Sequence, residues 1–268
     1  MKLIKLFSLL LIALFASCRS STLAGLSEQV YKKQVKTFIK TIKNTQPRPV
    51  DSTLMSFSPT VNFNLRKPNL VIIHHTAQDS LAQTLKTFQL QKTQVSAHYV
   101  IGADGTVVQM LNDYLRAWHA GSGKWGKNTD INSTSIGIEL DNNGKTPFSE
   151  AQISSLLQLL KNLKKEYNIP TANFIGHSDI APTRKTDPSE LFPWKTLADK
   201  GFGLWKNDLL PLVPLDFNAE QGLRIIGYDT SNLSAAIIAF KRHFIQTDLT
   251  NSIDEYTKAV LYSIYLKQ

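Results

Sequence analysis

Leu70-Val71-Ile72-Ile73-His74-His75 is the stretch on which the fold turns. Four consecutive apolar residues describe a strand buried on both faces, as at the centre of a parallel or mixed sheet. The run ends on histidine. Side chains at the carboxyl end of such a strand point into the crevice where α/β sheets commonly site their ligands. His74 is therefore a candidate functional residue, with His75 beside it.

Working outward, residues 79–92 read as a helix and His98-Tyr99-Val100-Ile101 as a second strand. Gly102-Ala103-Asp104-Gly105 forms a tight turn into Val107-Val108-Gln109-Met110, and Ile136-Gly137-Ile138-Glu139-Leu140 is another strand. Ser149 and Gln152 stand where a capping box would place them, ahead of a helix over 151–167. Phe174-Ile175-Gly176 is a last short strand. Strands mixed with helices on this scale predict an α/β fold whose central sheet is covered on both sides. Beyond Trp205 the character changes: Pro211 and Pro214 mark a boundary, and apolar residues at 223–226, 233–240 and 260–264 predict three short helices.

The 268 residues include 30 Lys+Arg, 21 Asp+Glu and one cysteine, with 42% hydrophobic and 19% charged residues. This composition excludes wholesale disorder. One cysteine excludes an internal disulfide framework and a cysteine-rich metal site, so a transition metal would have to be held by histidine and carboxylate. The chain opens with Lys2 and Lys5, followed by an apolar run from Leu6 to Ala16. That run is too short to span a bilayer comfortably and reads as a secretory signal. Phe15-Ala16-Ser17-Cys18 resembles a bacterial lipobox, with Cys18 as the lipidated residue and Phe15 in place of the usual aliphatic side chain. Setting aside residues 1–17 leaves 28 basic against 21 acidic side chains, or +7. Much of the surplus is local, in Lys32, Lys33, Lys36, Lys40 and Lys43. There Leu26, Val30, Val35, Phe38, Ile39 and Ile42 recur near helical spacing, so 26–43 reads as an amphipathic helix. A solvated helix packed on the main domain is preferred to a basic membrane-facing surface. No basic patch is interleaved with aromatics, so nucleic acid is not expected as a partner.

Five of the six histidines lie between 74 and 177. His177 also follows a short strand, and Asp187 comes ten residues later beyond Ala181-Pro182. Two histidines and a carboxylate, delivered by strand ends and a stiff loop, suit a zinc ion that keeps a position open for water. Spacing alone leaves open His74 against His75, and Asp179 against Asp187.

The run His177-Ser178-Asp179-Ile180-Ala181-Pro182-Thr183-Arg184-Lys185-Thr186-Asp187-Pro188 closely resembles the signature loop of the zinc-dependent N-acetylmuramoyl-L-alanine amidases of the amidase-2 family. These share a fold with phage T7 lysozyme and the peptidoglycan recognition proteins. Val71-Ile72-Ile73-His74-His75-Thr76, Ala117-Trp118-His119-Ala120-Gly121, Ser135-Ile136-Gly137-Ile138-Glu139-Leu140 and Leu191-Phe192-Pro193-Trp194 extend the likeness. The tail, with Ala239-Phe240-Lys241-Arg242-His243-Phe244, resembles the helical peptidoglycan-binding module of the AmiD-like lipoprotein subgroup.

The resemblance implies a central mixed β-sheet flanked by helices, plus a small C-terminal helical domain. It implies one catalytic zinc ion on His74, His177 and Asp187, with Glu139 as the catalytic glutamate and Lys185 as the transition-state lysine. His75, Trp118, His119 and Arg184 are expected to meet substrate, and the loop 121–126 with Trp125 to form a wall of the groove. Asp179 and Arg184 are alternatively placed to orient the metal loop, while His98 and His243 are expected to be structural. The implied organisation is a signal peptide over 1–17, a tether over 18–59, a catalytic domain over 60–205, a linker over 206–215 and the helical domain over 216–268. The implied activity is hydrolysis of the amide between N-acetylmuramic acid, including its 1,6-anhydro form, and L-alanine of the stem peptide. Peptidoglycan or muropeptide is the expected substrate and the lipid anchor the expected membrane contact, in a monomer. Arg19 rather than Asp after Cys18 favours the outer membrane, facing the periplasm of a Gram-negative bacterium. The rival expectation is a non-catalytic peptidoglycan-binding protein on the same fold.

Overall fold

The computed structural model describes residues 22–43, 65 and 67–268, together with the backbone of 49–50 and 53–54. The expected signal segment and Cys18 lie outside the described residues, as does most of the 44–60 connector. The chain divides into two compact units, Met1–Phe57 and Ser58–Gln268. The first holds helix α1 (Leu23–Lys43) and a two-residue hairpin of β1 (Pro49–Val50) and β2 (Thr53–Leu54). In α1, Glu28 pairs with Lys32 one turn on, Lys40 and Lys43 lie in the last turn, and no residue is buried. No helix among the described residues is long and apolar enough to cross a membrane.

The second unit is built on a five-stranded sheet of order β5-β4-β6-β3-β7. Its strands are β3 (Leu70–His75), β4 (Tyr99–Ile101), β5 (Val107–Gln109), β6 (Ser135–Leu140) and β7 (Phe174–Gly176). β3 runs parallel to both β6 and β7, β4 runs parallel to β6, and only edge strand β5 is antiparallel. The continuous apolar run of β3 follows from this position, because both faces are covered. Val71 and Ile73 face a core made with Leu156, Leu160, Leu163, Phe192 and Trp194. Leu70 and Ile72 face Ala120, Ile131, Ile175, Ile180 and Ala181 on the other side.

Helix α3 (Glu150–Tyr167) explains the first layer. Ile153, Leu156, Leu160 and Leu163 recur on one buried stripe, Ser149 caps the N-terminus through Gln152 N, and Asn168 ends the helix in the left-handed conformation at φ 53°. The expected capping box is only half formed. The side chain of Gln152 instead donates to Ile101 O at 2.9 Å and Asp141 O at 3.2 Å, tying the helix start to the sheet. Helix α2 (Leu81–Gln89) is capped by Ser80, whose side chain accepts from Gln83 N.

Short helices α4 (His177–Ile180) and α5 (Trp194–Asp199) follow β7. Three more helices form where the sequence placed them: α6 (Ala219–Ile226), α7 (Leu233–Phe244) and α8 (Glu255–Tyr265). Leu223, Ile226, Ile237, Phe240, Phe244, Val260, Leu261 and Ile264 make their core. They belong to the same compact unit as the sheet. Gln246 donates to Glu190 O and Phe192 O at 2.7 Å each, and Lys124 meets Asp229 at 3.1 Å.

Candidate metal centre and active site

Because side chains alternate along a strand, Ile72 and His74 share one face of β3 and Ile73 and His75 the other. The parallel register sets His74 beside Glu139 of β6. On β7 the chain turns directly into α4, so His177 sits at the strand's carboxyl end. Ser178 N donates to Asp187 O at 2.7 Å, which folds the loop back and returns Asp187 to the histidines.

Three donor atoms converge there. His74 Nδ1 lies 2.9 Å from His177 Nδ1, and Asp187 Oδ2 lies 3.1 Å from the first and 3.0 Å from the second. The surrounding hydrogen bonds decide which ring nitrogens carry protons. Ser135 spends its hydroxyl proton on Ile131 O at 2.7 Å, so its Oγ accepts from His119 Nε2 at 3.1 Å. Burial and the neighbouring rings hold the His119 pKa well below its ordinary value, so the ring is neutral and its Nδ1 accepts from His74 Nε2 at 3.0 Å. His74 is likewise pushed down to about 4, first by burial and then by His177. On the other ring, His177 Nε2 donates to Ala120 O at 3.0 Å.

Both Nδ1 atoms are thus left with lone pairs facing each other and a carboxylate oxygen. Such a cluster repels itself unless a cation stands among its members. Two imidazoles held in fixed tautomers and one carboxylate are a group able to hold a metal ion, of the donor types that suit zinc, with outer hydrogen bonds orienting each ring. The residues fit the metal.

Glu139 Oε1 stands 4.0 Å from His74 Nδ1, while its Oε2 is buried with no hydrogen-bond partner. Burial, helped by Asp187 and opposed by Lys185, raises its pKa to about 8. A buried carboxylate with one free oxygen beside a metal position is suited to exchange protons with water. Lys185 is half-buried, its backbone N donates to Ala181 O at 2.9 Å, and its charge acts on both His74 and Glu139.

The other expected residues divide. His75, on the opposite face of β3, accepts from Ser189 N at 3.2 Å and so braces the segment after Asp187. Trp118 is 53% exposed. His119 is only 8% exposed and stands behind His74, so the expected substrate contact gives way to support of a ligand. Arg184 donates to Ala120 O and Ser122 O at 2.7 Å each, clamping the carbonyl that holds His177. Trp125 is half-buried and packs edge-on against Tyr228, with ring centroids 5.1 Å apart. His98 is structural, with Nε2 donating to Leu115 O at 2.9 Å and Nδ1 accepting from Gly137 N at 3.0 Å. Asp179 is fully buried and lies outside the metal cluster, bonded to Gly176 N, Tyr228 Oη and His243 Nδ1.

Sequence reasoning passed over Ser135, Gly137 and Tyr228. A Cβ at Gly137 would lie 2.4 Å from His119 Cγ, so the glycine makes room for that ring. A glycine inside a strand is the signal that could have shown such an approach. Nothing local marks Tyr228.

Residues 64–190 match the family model described as N-acetylmuramoyl-L-alanine amidase. The N-acetylmuramoyl-L-alanine amidase AmiD of Escherichia coli K12 is 34% identical over 230 residues, covering 74% of this chain and 82% of that one. The 1,6-anhydro-N-acetylmuramyl-L-alanine amidase AmpD of Haemophilus influenzae is 38% identical over 108 residues, or 40% of this chain and 59% of that one. Among solved structures, the complex of E. coli AmiD with anhydro-N-acetylmuramic acid-L-Ala-D-γ-Glu-L-Lys superposes with a TM-score of 0.68 at 30% identity, over 82% of this chain and 96% of that one. AmpDH3 of Pseudomonas aeruginosa, in complex with anhydromuramic pentapeptide, superposes with a TM-score of 0.68 at 29% identity, over 79% and 96%.

Proposed function

The chain belongs to the N-acetylmuramoyl-L-alanine amidase family and hydrolyses the amide that joins N-acetylmuramic acid to L-alanine; from that premise we propose that His74, His177 and Asp187 hold a catalytic zinc ion and that Glu139 and Lys185 complete the active site. The observation that carries this reading is the pair of Nδ1 lone pairs 2.9 Å apart beside the Asp187 carboxylate. A zinc ion held there would supply Lewis acidity toward water and toward the scissile carbonyl.

The rest falls to the chain. Glu139 accepts a proton from the attacking water at Oε2, the oxygen without a protein partner, and returns it to the departing L-alanine nitrogen. The C–N bond breaks, the lactyl group of muramic acid leaves as a carboxylic acid, and the stem peptide leaves with a free amino terminus. Lys185 places its positive charge where the carbonyl oxygen turns negative. Its effect on the Glu139 pKa supports that placement.

The related structures bound to anhydro-muropeptides support the same substrate class for this chain, muramyl peptides with a 1,6-anhydro end, within cell-wall recycling. Anchoring through lipidated Cys18 at the outer membrane, facing the periplasm, is part of the proposal and rests on the lipobox-like Phe15–Cys18 segment with Arg19 after it. The C-terminal helices are proposed to contact peptidoglycan as well.

The test is incubation of the chain with anhydro and reduced muropeptides, with zinc supplied and then removed by chelator, reading products by mass spectrometry. Zinc-dependent release of peptide beginning with L-alanine is the expected result. Binding without release, unchanged by Glu139→Gln, would overturn the proposal.

A further inference from the structure

Asp179 is the polar residue that joins the metal loop to the C-terminal helices. Its carboxylate is 0% exposed, and a buried charge of this kind persists only where hydrogen bonds replace water. Three are present. Gly176 N donates at 2.7 Å, Tyr228 Oη at 2.6 Å and His243 Nδ1 at 2.8 Å. The first comes from the residue preceding ligand His177; the other two come from the far side of the linker, 49 and 64 residues away in the chain.

Both distant donors are committed to this role. The Tyr228 hydroxyl is pushed well above its ordinary pKa by burial and by Asp179 itself, so it stays protonated. His243 Nε2 is buried with no hydrogen-bond partner, leaving Nδ1 as the nitrogen that bonds. The ring is held in plane between Trp194, 3.8 Å away at 15°, and Phe244, 4.0 Å away at 13°. Trp194 in turn walls off Gly176. A Cβ there would lie 3.1 Å from Trp194 Cζ2 and 2.9 Å from the Cδ of Pro188, which follows ligand Asp187. The turn into His177 and the chain after Asp187 thus meet a surface that the C-terminal helices complete.

We propose that Tyr228 and His243 are positioning residues for the metal centre: through Asp179 they fix the Gly176–His177 turn, so that the C-terminal helices act as a built-in support of metal affinity as well as any role in substrate contact. The inference rests on the zinc reading of His74, His177 and Asp187.

The experiment measures zinc dissociation constants of the full-length chain by competition with a chromogenic chelator, and thermal unfolding of the metal-free forms. Tyr228→Phe removes a hydroxyl, and His243→Phe keeps the stacked ring while removing its donor. Each is expected to raise the zinc dissociation constant by about tenfold, and the double variant by up to about 100-fold. His243→Asn, which restores an N–H donor, is expected to recover part of the loss. Val260→Ala, in the core of the same helices but not bonded to Asp179, is the stability control: its melting temperature falls and its zinc constant is unchanged. A wild type that takes up no zinc overturns the metal reading and this inference with it. A tight-binding wild type, with Tyr228→Phe and His243→Phe binding equally tightly, overturns the inference alone.

Discussion

His74 and Glu139 are register partners on adjacent parallel strands, and His74 Nδ1 lies 4.0 Å from Glu139 Oε1. Neighbouring strands in register keep paired residues on the same face, so the proposed ligand and the proposed proton acceptor are set side by side by backbone hydrogen bonding alone. No loop has to close to bring them together.

The first prediction concerns that carboxylate. Glu139→Gln preserves shape but removes the proton acceptor, so hydrolysis should fall by about 10²- to 10⁴-fold. The ligand triad is untouched, so zinc uptake should persist. Steady-state rates on anhydro-muropeptide, set beside chelator competition, check the two halves separately.

The same residue makes the metal-free chain sensitive to pH. Its pKa is raised to about 8, mainly by burial, so the folded state holds a proton that the unfolded state releases near the ordinary value of 4.5. Folded protein binds more protons across this window, and stability therefore falls as pH rises from about 5 to 8. Metal-free wild type should lose melting temperature over that range relative to Glu139→Gln. Parallel curves for the two proteins would refute the assignment.

Gly137 offers a test from outside the ligand set. A Cβ would lie 2.4 Å from His119 Cγ, and the ring behind His74 would have to shift. Overpacking of this kind destabilises by about 1–3 kcal/mol. His74 would also lose the acceptor for its Nε2 proton, so Gly137→Ala should weaken zinc binding. Urea unfolding measures the first effect, and chelator competition the second.

A fourth prediction lies in the C-terminal helices. Lys241 is fully buried, and its ammonium meets Asp248 and, at 2.9 Å, Thr250 Oγ1. The hydrogen bond from Lys241, followed by those from Thr250, lowers the Asp248 pKa to about 2. Its folded-state pKa is depressed, so the pair stabilises the fold above pH 4 and that contribution disappears as pH falls toward 2. Asp248→Asn should lower the melting temperature at pH 7, because it leaves a buried ammonium without its counter-charge. The difference between variant and wild type should narrow as pH falls below 4 and close only below about pH 2, where both carry a neutral side chain. Thermal scans from pH 7 down to below pH 2 make the comparison.

Much of this molecule was legible one segment at a time. The apolar run of β3, the stripe of α3 with its Ser149 cap, and the three C-terminal helices are local patterns that formed where expected. The 177–188 loop carried the family likeness. Its match to residues that converge in space depended on separations of 103 and 113 positions between His74 and its two partners. Local pattern could not choose Asp187 over Asp179, because both follow His177 and both are carboxylates. The structure separates them by hydrogen bonding: Asp179 is occupied by Gly176, Tyr228 and His243, and Asp187 is not. The place of His119 was hidden for a related reason. Its glycine-rich surroundings suggest an open loop, but the hydrogen bond to His74 and burial turn it inward.

The sequence by itself determined the strand and helix inventory, the donor types available to a metal and the family signature, because periodicity, caps and short motifs are properties of neighbouring residues. Only the tertiary structure decided which nitrogen of each histidine faces the metal position. It also decided that Glu139 keeps one oxygen free and that Tyr228 and His243, from the C-terminal helical part, bond the loop that follows His177. Those features arise from burial and hydrogen bonds between residues far apart in the chain, and no local pattern encodes a partner that folding alone brings within 3 Å.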